Sequence, residues 1–65
     1  MRSYSSKDIM KMLERNGWIL KECVGSHHQF IHPTKPGKVT LKHPQKDVPI
    51  PTIKSIENQS GIKFD

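Results

Sequence analysis

Three of the four histidines fall within six residues, at His27, His28 and His32, and the fourth is His43. Imidazole can trade a proton near neutral pH or ligate a metal, so these positions are the first candidates for chemistry. Metal binding fits the spacing poorly. On a strand, His28 and His32 would stand about 13 Å apart, too far to share one ion. Cys23 is the sole cysteine and no histidine pair has helical spacing, so neither a metal nor another cofactor is expected. Cys23 itself has no visible low-pKa context and reads as a small residue at the core edge. The ordinary fate of a histidine is a half-buried or surface ring satisfied by hydrogen bonds. That reading is assigned to His32 and His43, each of which precedes a proline.

The histidines sit in a charged frame. From Gly25 to Lys46 the chain carries Lys35, Lys38, Lys42 and Lys46 and no acidic residue. All six acids lie outside this window, and the formal net charge is +5. A basic balance in a small domain suggests a polyanionic partner, most often nucleic acid, although a charge run is as often only a solvated face. RNA carries its own nucleophile, the ribose 2′-hydroxyl. Cleaving it requires a base for that proton, an acid for the leaving 5′-oxygen and positive charge near the phosphate. One histidine among lysines can supply this, with a proton-transfer contribution of about 10²–10⁴-fold.

The elements that would position these groups can be read in order. Ile9, Met10 and Leu13 form a helical apolar stripe, with Ser5 or Ser6 as N-cap, Asp8 in the first turn and Asn16-Gly17 as the stop. Residues 18–24 are rich in aromatic, β-branched and apolar types and predict a strand. By parity Trp18, Leu20, Glu22 and Val24 share one face, and neither face is polar enough to show which is buried. Gly25-Ser26 breaks the chain, and residues 27–32 predict a second strand. Pro36-Gly37 marks a turn, and Lys38-Val39-Thr40-Leu41-Lys42 alternates as a third strand. A proline-rich connector, residues 43–51, precedes a second helix with Ile53 and Ile56 on one side and Gly61 at its end. Ile62 and Phe64 are expected to fold back on its last turn.

Sixty-five residues allow one domain, 1–65, with a small core. The order α-β-β-β-α is α+β, and both helix stripes are buried most simply on one face of a three-stranded antiparallel sheet. Phe30 is the largest apolar residue of the second strand, so its face is expected under the helices. That places His27 on the open face near the hairpin lysines, although Ile31 argues for the opposite orientation. No apolar run approaches the roughly 20 residues needed to span a bilayer, there is no leader-like start, and a lone cysteine suits a reducing compartment. The expectation is a soluble cytoplasmic protein with no membrane partner.

Gly17-Trp18, Gly25-Ser26-His27-His28-x-Phe30, His32-Pro33, the run from Pro36 to Thr40, His43-Pro44 and the run from Ile50 to Ile56 together resemble the HicA (YcfA-like) family. Its members are bacterial mRNA interferase toxins of type II toxin–antitoxin modules. The resemblance spans about residues 5–62 and implies a double-stranded-RNA-binding-like fold. It implies that His27 is catalytic, that Gly25 shapes the bend presenting it with Ser26, and that a HicB-type antitoxin neutralises the toxin. The adjacent His28 is the second candidate. Lys35, Lys38, Lys42 and Lys46 are the candidate RNA-binding residues. Strand three ends in Leu41-Lys42 before His43-Pro44, where many family members look more apolar. The rival readings are a non-catalytic RNA-binding module of the same fold and a basic protein-interaction domain. The start of the second helix has the single lysine Lys54, which counts against duplex binding.

Overall fold

The computed structural model describes residues 3–64. Its elements are α1 (Ser6–Arg15), β1 (Ile19–Val24), β2 (His27–Ile31), β3 (Lys38–Lys42) and α2 (Ile50–Ser60), and the sheet is antiparallel in the order β1-β2-β3. This is the α+β arrangement expected.

Local chemistry sets the ends of α1. Ser5 is the N-cap: its Oγ accepts from Asp8 N at 3.2 Å, and Asp8 Oδ2 accepts from Ser5 N at 3.4 Å, a reciprocal capping box. At the other end Trp18 N donates to Leu13 O and Gly17 N to Glu14 O, the paired bonds of a Schellman stop. Gly17 sits at φ +89, and a Cβ there would meet His32 Nε2 at 2.9 Å, so both backbone and space require glycine. The stop turns Trp18 into the core before β1 begins, so the strand starts one residue later than its composition suggests.

Only one face of β2 and β3 is buried. Phe30, Val39 and Leu41 are almost fully covered and join Ile9 and Leu13 of α1 and Ile53 and Ile56 of α2 in a single cluster. Burial of each such side chain is worth about 1.5–3 kcal/mol. Ile62 and Phe64 fold back into the same cluster, and Phe64 N donates to Glu57 Oε2 at 2.7 Å. In β3 the alternation of exposed Lys38, Thr40 and Lys42 with buried Val39 and Leu41 follows the sequence pattern directly.

The parity assigned to β1 needs correction. Its register with β2 shifts between Leu20 and Glu22, so Lys21 is the extra residue of a bulge. Leu20 stands opposite Phe30, while Glu22 and Val24 stand opposite Gln29 and His27. The four residues that simple alternation placed together are therefore divided between faces. As an edge strand β1 is exposed along its whole length, which explains why neither face looked polar.

Candidate active site

The start of β2 is positioned by a two-residue hairpin turn, Gly25-Ser26, between the paired residues Val24 and His27. Gly25 has φ +59, and no non-glycine residue among the described residues has a positive φ, which is the pattern of a type II′ turn. Among the described residues nothing lies within 4 Å of a Cβ built at Gly25, so the backbone angle selects glycine there. The connector braces the turn, because His43 N donates to Ser26 O at 2.8 Å. A turn this short fixes the register, and a slip of one residue would swap every β2 side chain to the other face.

That register places His27 on the open face, directly between Val24 of β1 and Lys42 of β3. Gln29 stands opposite Thr40, and Ile31 opposite Lys38. His27 is exposed, and no hydrogen bond engages its ring among the described residues. Lys42 and Lys38 share its face, so one imidazole and two ammonium groups project from the same side of one hairpin.

His28 lies on the other face. Its Nδ1 is 3.3 Å from Ser26 O, its Nε2 is 3.5 Å from Cys23 Sγ, and its ring meets His43 edge-on at 5.2 Å. His43 is fixed in turn by Ser6, whose Oγ is 2.6 Å from Nδ1. His32, just beyond β2, is bound most completely. Nε2–H donates to Asn16 O at 2.9 Å, while Nδ1 accepts from Thr34 N and Lys35 N at 3.1 and 3.2 Å. Two backbone donors on Nδ1 require the neutral Nε2–H form. The ring also packs against Trp18 at 5.2 Å.

The four candidate lysines separate in space. Lys38 and Lys42 belong to the His27 face. Lys35 Nζ donates to Ser60 O at 3.2 Å and caps the C-terminal end of α2, where a cation is favoured. Lys46 borders a cleft beside the first turn of α1. Sequence reading missed Glu22, which the β1 bulge places opposite Gln29 and diagonal to His27 on the open face, and Thr40, which lies between the two face lysines. The alternation of β3 pointed to Thr40. Only the bulge places Glu22, and the sequence gives no signal for it.

Among the described residues, no group of three or more His, Cys, Asp or Glu side chains could hold a metal ion. No helix among them is long and apolar enough to cross a membrane.

The fold and face define a small α+β domain that presents one unengaged imidazole beside Lys42 next to a tight hairpin turn, with Lys38 farther along the same face. Residues 6–62 match the family model described as the HicA toxin of bacterial toxin–antitoxin. The chain belongs to the HicA toxin family, and membership implies an antitoxin partner. No curated relative matches the chain.

Proposed function

We propose that the chain is an endoribonuclease toxin that cleaves mRNA by 2′-hydroxyl attack, with His27 transferring a proton, Lys42 holding the scissile phosphate and Lys38 a phosphate farther along the same face. The carrying observation is that His27 alone among the histidines is exposed and unbonded, with Lys42 directly across the ladder. In the reaction the 2′-oxygen loses its proton and bonds to phosphorus, and the bond from phosphorus to the 5′-oxygen breaks. The leaving oxygen takes a proton, which leaves a 2′,3′-cyclic phosphate and a 5′-hydroxyl. His27 performs one of the two transfers, as base or acid, and water performs the other. The Lys42 ammonium group offsets the charge that builds on the phosphoryl oxygens. No step needs a metal ion. A HicB-type antitoxin in the bacterial cytoplasm is the proposed neutralising partner, and an exposed imidazole is open to being covered.

The test is induced expression in bacteria of wild type, His27→Ala and His28→Ala, reading growth and mRNA integrity. Wild type and His28→Ala should arrest growth and degrade mRNA, while His27→Ala should be silent. Silence of His28→Ala alone would move the chemistry to the other face. Intact mRNA with all three proteins would favour a non-catalytic RNA-binding module.

A further inference from the structure

Beside the first turn of α1, residues 5–7 and connector residues 43–46 enclose an open cleft of about 490 Å³. Its lining is mostly apolar and includes Pro44, and among the described residues it has Lys7 and Lys46 as cations and no carboxylate. The start of α1 is closed by its own capping box and offers little to an anion, so any attraction must come from these lysines.

His43 adds a held imidazole. Ser6 Oγ accepts from Gln45 N at 2.9 Å and shares a hydrogen with His43 Nδ1 at 2.6 Å. His43 Nε2 has no hydrogen-bond partner among the described residues. The cleft is also tied through the backbone to the turn that presents His27. His43, which lines it, bonds through its backbone to Ser26, the residue before His27.

From this arrangement we propose that the cleft is a subsite for one nucleotide of single-stranded RNA flanking the bond cut at His27. Its phosphate would lie between Lys7 and Lys46, its sugar or base against Pro44, and one of its polar atoms against His43 Nε2. The proposal rests on the reading of the chain as an RNA-cleaving toxin. A recess of this size suits a splayed nucleotide, whereas a duplex presents its backbone across wide grooves.

The test uses wild-type protein and a fluorescent single-stranded RNA with 2′-O-methyl riboses, which lacks the attacking hydroxyl and stays intact. Binding is measured against salt for wild type, Lys7→Ala/Lys46→Ala and the control pair Lys54→Ala/Lys63→Ala, all exposed positions. The cleft pair should weaken binding about tenfold or more at low salt. It should also lower the logarithmic salt slope by about 0.7, the effect of one lost phosphate contact on a single strand. The control pair should change both far less. Cleavage of ordinary RNA by wild type is read in parallel. Cleavage together with equal losses for the two pairs would overturn the subsite and leave the enzyme reading intact. Absence of both cleavage and binding would overturn both.

Discussion

At the start of β2, the His27 ring has no hydrogen-bond partner among the described residues, whereas just past its other end the His32 ring is held by Asn16, Thr34 and Lys35 and packed on Trp18. Each end also has a lysine, and these differ in the same way. Lys42 stands across from His27 on the open face, while Lys35 is committed to the C-terminal end of α2. Residue type alone does not separate a reactive group from a structural one. An imidazole with every nitrogen engaged can hold a loop in place, but it can exchange a proton only by breaking that loop's bonds. An imidazole without partners contributes little to the fold and is free for substrate.

If this contrast is right, mutations at the two ends should fail in different ways. The largest effect is expected at His27. His27→Ala should slow RNA cleavage about 10²–10⁴-fold, the usual contribution of one proton-transfer group, and leave the melting curve nearly unchanged. His32→Ala should do the reverse. Loss of its hydrogen bonds and its contact with Trp18 should cost about 2 kcal/mol, lowering Tm by roughly 8–16 °C in a domain this small. Cleavage measured well below the new midpoint should persist.

Gly17→Ala sharpens the comparison at the locked end. The left-handed backbone and the 2.9 Å approach to His32 Nε2 should together cost about 1–2 kcal/mol. The steric part should disappear in a His32→Ala background, so a double-mutant cycle should show coupling between the two positions. Simple additivity would mean that the glycine serves only the turn. The smallest effects divide the lysines. Lys42→Ala should reduce the salt slope of RNA binding by about 0.7 with little change in Tm. Lys35→Ala should leave the slope alone and lower Tm by less than about 5 °C.

Much of this contrast could be read along the chain because it depends on local rules. A serine N-cap with Asp8 in the first turn, the Asn16-Gly17 stop and the alternation of Lys38 to Lys42 are each written within a few neighbouring residues, and the structure carries them out, choosing Ser5 over Ser6 as the cap. The open-face position of His27 followed from the bulk of Phe30, which the core does bury. What could not be read involves distant partners. Ser6 meets His43 across 37 positions, and Lys35 reaches Ser60 across 25. A run of four lysines in sequence does not reveal that one will cap a helix and another will border a cleft. The bulge at Lys21 likewise has no marker such as glycine, so alternation misassigned the β1 faces and left Glu22 out of the site.

The most direct test of the account is the single-turnover rate at which purified His27→Ala protein, shown by its melting curve to be folded, cleaves a short RNA compared with wild type. The account predicts a rate at least 10²-fold lower at an unchanged midpoint. A folded His27→Ala protein that cuts RNA at the wild-type rate would contradict it.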